Sequence, residues 1–172
     1  AIMGFGMSGI GLSVMHDANH RSYSSNPTVN KVVGSVINLV GGYPANWRMQ
    51  HNVLHHSFTN IEDHDEDFDT PALRCTPNQE RKYLHRFQAF YASFLYGLMT
   101  IYWYVGKDFV QIVKYNKMGL LAGQNLTYKK AMIQIVLLKI FYGGVFIALP
   151  MITSDVLWWQ SLLGWVLMQY IS

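Results

Sequence analysis

Charge is scarce in this 172-residue sequence: charged residues make up 13% of it, about half the share found in an ordinary globular protein. Cys75 is the only cysteine, which excludes an intrachain disulfide framework. Disorder and collagen-like repeats are excluded because prolines are few and apolar residues occur almost throughout. The net charge of +3 is too small and too unevenly spread to predict nucleic-acid binding. A membrane protein is the class that remains.

Apolar and aromatic residues, at 51% and 15% of the chain, form segments of different lengths. A bilayer span needs about 20 apolar residues, so Ala1–Met15 is expected to be the second half of a transmembrane helix. Thr28–Gly42 is short and interrupted by glycine, which favours a helix lying at the interface or packed against the bundle over a membrane span. Ala131–Ile152 and Val156–Ile171 are separated only by Thr153–Asp155 and predict a helical hairpin that crosses the membrane and returns.

The distribution of basic residues predicts the topology. The aromatic segment Phe87–Val105 has Lys and Arg on both flanks, whereas the turn Thr153–Asp155 has none. By the positive-inside rule both flanks are cytoplasmic, so this segment enters or lies on the membrane without crossing it. Lys139 falls within an apolar run, where a charge is costly, and is expected either to snorkel or to face the bundle. The predicted fold is an all-α, multi-pass integral membrane helical bundle with interfacial helices.

Both ends of the sequence lie inside apolar runs, and the first residue is Ala1 rather than Met. We therefore expect residues 1–172 to be a single domain that is truncated at both ends.

Five of the seven histidines fall in two clusters: His16 and His20 form H-x-x-x-H, and His51, His55 and His56 form H-x-x-x-H-H. Residues four apart lie on one face of an α-helix, with Cβ atoms about 5–6 Å apart. His56, rotated by about 100° from His55, is expected to reach a neighbouring site or to complete the first from the side. Imidazole binds iron, copper, zinc and nickel alike. Five imidazoles exceed what one open catalytic metal usually takes, so the pattern predicts a two-metal site at the cytoplasmic membrane edge.

Two familiar metal motifs do not fit these clusters. A zincin needs Glu directly after the first histidine as general base, and Asp17 stands there. Soluble di-iron bundles use paired Glu-x-x-His motifs, to which only Asp17-x-x-His20 comes near.

The clusters instead resemble the first two histidine boxes of the membrane fatty acid desaturases. The matching stretches are HDANH at His16–His20 and WRMQHNVLHHSFTN at Trp47–Asn60, followed by DHDED at Asp63–Asp67. The fit is closest to the front-end group, which includes the delta-6-type, or linoleoyl-CoA, enzymes. The delta-9 acyl-CoA branch tends to have a longer first box and a shorter second one. The box spacing and the later apolar hairpin also match, so the resemblance covers essentially the whole chain.

This resemblance implies an O₂-dependent acyl desaturase in which the histidines of both boxes bind two non-haem iron ions. The implied ligands are His16, His20, His51, His55 and His56. The implied partners are a fatty acyl-CoA or acyl-lipid substrate, O₂, membrane lipid and an external electron donor such as cytochrome b5 or a ferredoxin. The family's third box, Gln-x-x-His-His in front-end members, is absent from this sequence. We therefore expect this fragment alone neither to hold two irons nor to turn over.

Outer carboxylates and amides are expected to orient the imidazole rings, because neutral ligands leave the metal charge uncompensated. Asp17 is the first candidate, with Asn52 and Asp65 as further ones. The run Glu62–Asp69 holds six of the ten acidic residues and fits either this role or a solvated loop. His64, within that run, is expected to belong to the loop rather than to the metal site.

Three alternative functions stay open at this point. The first is a membrane hydroxylase acting on fatty acyl chains or sphingolipids, since the same oxidant can return oxygen to the carbon radical. The second is a metal-handling membrane transporter or sensor. That function predicts polar residues lining a path through the spans, and apart from Lys139 and a few amides they are lacking. A catalytically inactive membrane scaffold is a third, weaker alternative.

Overall fold

The computed structural model describes residues 1–67 and 72–172. Within these ranges the chain forms helices and turns and no β-strand, which confirms the predicted all-α class. Phe68 and Asp69, which belong to the acidic run, lie outside the described residues.

Seven helices organise the described part of the chain. Their bounds are α1, residues 2–19 (Ile2–Gly9, Ile10–Val14 and Met15–Asn19); α2, Pro27–Gly34; α3, Ile37–Val40; α4, residues 44–55 (Pro44–Trp47 and Arg48–His55); α5, residues 88–117 (Gln88–Tyr102, Trp103–Lys107 and Asp108–Lys117); α6, Tyr128–Thr153; and α7, Trp158–Ile171. Short 3₁₀ turns cover Tyr83–Phe87 and Leu120–Gln124.

Local sequence signals explain several of these helix ends. Asn26 caps α2 by accepting the Thr28 N–H at 2.9 Å, and Pro27 occupies the first helical position, where no N–H is needed. Thr127 caps α6 in the same way. Gly41 ends α3 with φ of 98°, a backbone conformation that glycine adopts without steric cost.

π-helical segments interrupt α1, α4, α5 and α6. They cover Ile10–Val14, Arg48–His55, Trp103–Lys107 and Gly144–Ala148. Such segments are rare and frequently accompany functional sites. The segment in α4 contains the start of the second histidine box, so its winding decides where those rings point.

The apolar segments form longer or more divided helices than their sequence predicted. Thr28–Gly42 divides into α2 and α3, and Phe87–Val105 is the first half of α5, which continues to Lys117. α6 and α7 follow one another as the predicted helical pair and pack together through Tyr142, Trp165 and Met168. Among the described residues, α6 alone is long and apolar enough to cross a membrane, and only 11% of its most apolar stretch is buried.

A second apolar cluster lies where α4, α5 and α6 meet. Its fully buried members include Met49, Ile112, Tyr115 and Ile135. This packing holds the first turns of α4 against α5 and α6, directly beside the histidine-bearing part of α4.

Lys139 of α6 points into the bundle. Its ammonium donates to the Asp108 carboxylate of α5 at 2.5 Å and to the carbonyl oxygens of Gly41 at 2.5 Å and Trp103 at 2.9 Å. Asp108 is fully buried and accepts a further hydrogen bond from the Asn46 side chain at 3.2 Å. Buried charges persist when they are paired and hydrogen-bonded. Of the two alternatives for Lys139, the structure therefore selects the one that faces the bundle.

Replacing Lys139 by Met should lower the free energy of unfolding by about 3–5 kcal/mol, because Asp108 is then left buried and uncompensated. Adding Asp108→Asn should restore most of the loss, since Asn keeps an acceptor for Asn46 without the charge. Denaturant unfolding in detergent measures both effects, with Lys129→Met at the exposed start of α6 as the control. A single variant as stable as this control would contradict the expectation.

Candidate metal centre

The end of α1 and the π-helical part of α4 bring all five box histidines into one cluster. Ring centroids lie 4.6 Å apart for His16 and His20, 5.1 Å for His16 and His51, and 4.8 Å for His20 and His56. Within α4, His55 lies 5.1 Å from His51. The Nε2 atoms of His16 and His51 are 3.2 Å apart. The two boxes, separated by 30 residues in the sequence, thus form a single cluster of imidazole nitrogens that could bind metal.

The π-helical winding of Arg48–His55 accounts for the position of His56. In an α-helix, residues five apart point in clearly different directions. Bonding from i to i+5 widens the turn, so residues four and five apart both lie near the same face. His56 accordingly lies 4.8 Å from His51 and 5.3 Å from His55. The expectation that His56 completes the site from the side fits this geometry.

Trp47 forms the apolar side of the cluster. Its ring lies 4.7 Å from that of His51, 5.8 Å from His16 and 5.9 Å from His20, and the residue is 8% exposed. Trp47 also belongs to a small core with Met15 of α1. This packing fixes the two histidine-bearing helices relative to each other and limits water access from that side.

Carboxylates hold three of the imidazoles through Nδ1. Asp67 contacts His51 at 2.8 Å, Asp65 contacts His55 at 2.9 Å, and Asp17 contacts His16 at 3.0 Å. An imidazole that donates Nδ1–H to a carboxylate has its ring orientation fixed and leaves Nε2 free to bind a metal.

Asp65 is the most constrained of these acids. It is fully buried, and it also accepts the backbone N–H groups of Asn60 at 2.9 Å and Asp67 at 3.0 Å. Burial by itself would raise the pKa of Asp65, but the two backbone hydrogen bonds and His55 outweigh it and lower the pKa. The group behind His55 is therefore an ionised carboxylate held in one orientation.

Asp17, Asn52 and Asp65 were predicted to orient the imidazole rings, and the structure places two of the three in contact with a box histidine. Asp17 and Asp65 each touch a box histidine. Asn52 donates to the backbone carbonyl of Asn19 at 3.0 Å, so it ties α4 to the end of α1 and is not hydrogen-bonded to an imidazole. Asp67 was missed. The alternation of acids in DHDED was the available signal, because residues two apart in an extended turn can face the same side.

His64 lies outside the cluster, as predicted. It is exposed, its Nδ1 lies 3.1 Å from the carbonyl oxygen of Glu62, and its ring contacts Phe58 at 5.1 Å. The alternative of His64 as a metal ligand finds no support in this geometry.

Glu66 and Asp67 of the acidic run are hydrogen-bonded to side chains of α5 and α4, so these two residues are not part of a solvated loop. Gln50 donates to Asp67 at 2.5 Å, and Gln111 donates to Gln50 at 2.5 Å. Tyr115 donates to Glu66 at 2.5 Å. Burial and the hydrogen bond to Glu66 raise the pKa of Tyr115, so its hydroxyl remains a donor. The chain of contacts links the imidazole of His51 to the interior of the bundle.

The donor atoms fit a metal site. His16, His20 and His51 offer ligand atoms that lie within 4.8 Å of one another, and so do His51, His55 and Asp67. Nε2 of His20 is buried and has no hydrogen-bond partner among the described residues. Burial, aided by neighbouring imidazoles, lowers the pKa of His20, and burial lowers that of His51 despite Asp67. Neutral imidazoles, one of them with an unpartnered Nε2, suit a transition metal.

Comparison with known proteins finds desaturases among the relatives of this chain. The chain is 41% identical over 105 residues to an sn-1 linoleoyl-lipid 6-desaturase from Synechocystis sp., which covers 60% of the chain and 29% of that protein. It is 37% identical over 102 residues to an acyl-lipid (8-3)-desaturase from Physcomitrium patens, covering 58% and 21%. An acyl-lipid (8-3)-desaturase from Mortierella alpina is 39% identical over 103 residues, covering 58% and 23%.

The chain spans less than a third of the length of each of these relatives. No solved structure matches it. The family model for fatty acid desaturases matches residues 1–172, the whole of the sequence. The resemblance drawn from the histidine boxes is thereby confirmed, and the chain belongs to the fatty acid desaturase family.

Proposed function

We propose that this chain supplies the first two histidine boxes of a membrane-bound desaturase that introduces a cis double bond into an acyl chain with O₂. In this proposal His16, His20, His51, His55 and His56 are ligands of a non-haem di-iron centre. The observation that carries it is the convergence of five imidazoles from two helices, one of them with a buried and unpartnered Nε2. Family membership over all 172 residues supports iron as the metal.

Breaking unactivated C–H bonds demands a strong oxidant, since they offer neither an acidic proton nor a leaving group. Iron held by these histidines would supply that oxidant from O₂ and electrons. The residues of the chain orient the imidazoles. Asp65 and Asp67 accept the Nδ1–H groups of His55 and His51 and leave their Nε2 atoms available to bind iron. Trp47 shields the rings from water on one side, which protects the site against unproductive reactions.

We propose further that the protein is a multi-pass membrane protein with the histidine boxes on the cytoplasmic side. Support comes from α6, whose apolar surface is mostly exposed and so needs a non-aqueous environment. α7 presents Trp158, Leu162, Leu163 and Leu167 to the outside. Lys and Arg flank the histidine-bearing part of the chain and are absent from the turn after α6.

Metal transport is a weaker alternative for this geometry. A transporter needs polar groups lining a path through its spans. Lys139, the one charged residue deep within α6, is paired with Asp108 and hydrogen-bonded to two carbonyls, so it closes a packed contact rather than lining a path.

The relatives suggest the substrate class. Several are named acyl-lipid or linoleoyl-lipid desaturases, and two are named Delta(5) fatty acid desaturases, one of them as probable. We propose an acyl-lipid substrate, in preference to an acyl-CoA, with the double bond entering close to the carboxyl end of the chain. An external electron-transfer protein, cytochrome b5 or a ferredoxin, would supply the two electrons per turnover.

In the full-length protein, His55→Ala should abolish product, by more than about a hundredfold, and reduce bound iron below the roughly two equivalents expected of the wild type. The reason is loss of a metal ligand, with membrane insertion unaffected. Product analysis by gas chromatography and iron determination on purified protein give the two readouts. His64→Ala, an exposed histidine outside the cluster, is the matched control. Wild-type product from the His55 variant would end the desaturase proposal.

Asp65→Asn should lower iron affinity and activity by about tenfold to a hundredfold, because the amide no longer holds the Nδ1–H of His55 with an ionised acceptor. Iron retention against a chelator series measures the effect. Asp63→Asn is the control, since Asp63 has φ of 65°, which Asn tolerates, and is exposed in the same loop. The proposed role of Asp65 is disproved if both variants lose iron at the same chelator concentration.

A further inference from the structure

A wide groove opens beside the histidine cluster, and neither Asp65 nor Asp67 lines it. Its volume is about 1630 Å³, and its wall combines the end of α1, the segment leading into α2, α4, the Leu120–Gln124 turn and one face of α6. His20 and His56 both line it. Whatever occupies the groove therefore lies against two of the proposed metal ligands.

The groove has charge of one sign. Arg21, Lys31 and Arg48 line it, and no Asp or Glu occurs among its described lining residues. Leu126, Leu137 and Leu138 add an apolar part to the same wall. A basic region beside an apolar one matches an amphiphile whose head carries negative charge.

Arg48 is the unusual member of this set. Its guanidinium donates to the neutral side chains of Gln124 at 3.0 Å and Asn19 at 3.3 Å, and no carboxylate of the described residues forms an ion pair with it. Burial lowers the pKa of Arg48, a sign that its charge is partly desolvated. A half-buried guanidinium without a counter-charge is costly and still has unused N–H donors. An anionic ligand would supply the missing partner.

We propose that this groove binds the phosphate-bearing head of an acyl lipid, with Arg48 as its anchor and Arg21 and Lys31 as a basic rim. The inference rests on the proposed function and specifies its substrate. Arg48 lies one helical turn before His51 and is hydrogen-bonded to Asn19, the neighbour of His20. A head group held there keeps the first carbons of the acyl chain beside the histidine cluster, as a double bond near the carboxyl end requires. Guanidinium and phosphate form charge-assisted, two-point hydrogen bonds.

Native mass spectrometry of the full-length protein, purified in a neutral detergent and kept without an electron donor, tests the proposal. The probes are dilinoleoyl phosphatidic acid and dilinoleoyl monogalactosyl diacylglycerol, which share acyl chains and differ in the head. The wild type should retain the phosphate-bearing lipid at least about tenfold better. Arg48→Gln should weaken that binding by about tenfold to a hundredfold, and Arg48→Lys should restore part of it. Millimolar inorganic phosphate should compete weakly, because it lacks the apolar part.

Arg81→Gln makes the same charge change at an exposed position outside the groove and should bind both lipids as the wild type does. Should Arg48→Gln fail to fold, Arg21→Gln with Lys31→Gln provides the second measurement, with a loss of a few-fold that disappears at high salt. Equal retention of the two lipids by the wild type overturns the proposal, and so does complete displacement by inorganic phosphate. Neither result bears on iron content or product formation, which test the desaturase function separately.

Discussion

The ion pair between Asp108 and Lys139 is the contact on which the arrangement of the bundle depends. In a chain with so few charges, a buried carboxylate and a buried ammonium require each other. Their partners come from four places: α5, α6, the glycine turn after α3 and, through Asn46, the first turn of α4. Because Asn46 and Trp47 are neighbours, this pair also positions the helix that carries the second histidine box.

In the candidate metal centre, too, the carboxylates are held by hydrogen-bonding partners. The acidic segment after the second box folds back onto the histidine cluster and α5. Asp67 and Asp65 contact Nδ1 of His51 and His55, and Tyr115 of α5 donates to the carboxylate of Glu66. Asp67 is held on both sides, by His51 and by Gln50. The polar network therefore runs from the site into the bundle, so that packing between helices and orientation of the imidazoles are mechanically coupled.

The sequence predicts the parts of this site that depend on local spacing. Residues four apart meet in any helix, so the pairing of His16 with His20, and of His51 with His55, follows from their numbers alone. The winding around His56 does not, because a π-helical segment arises from packing against other helices rather than from a pattern of residue types. The pairing of Lys139 with Asp108 could not be predicted from the sequence either, because the two residues are 31 positions apart and the burial of Asp108 depends on the tertiary fold. The division of Thr28–Gly42 into two helices was a question of boundaries within a correctly recognised helical region.

Charges of opposite sign contact different parts of the histidine cluster. Asp67 and Asp65 contact His51 and His55, whereas the groove with Arg48 is lined by His20 and His56. No Asp or Glu occurs among the described residues that line the groove. In the proposed complex, an anionic lipid head would be repelled by these carboxylates and attracted by the guanidinium of Arg48, so its approach would have one favoured direction. The carboxylates proposed to orient the metal ligands would then also keep the lipid head away from Nδ1 of His51 and His55, and one arrangement of charge would serve both proposed roles.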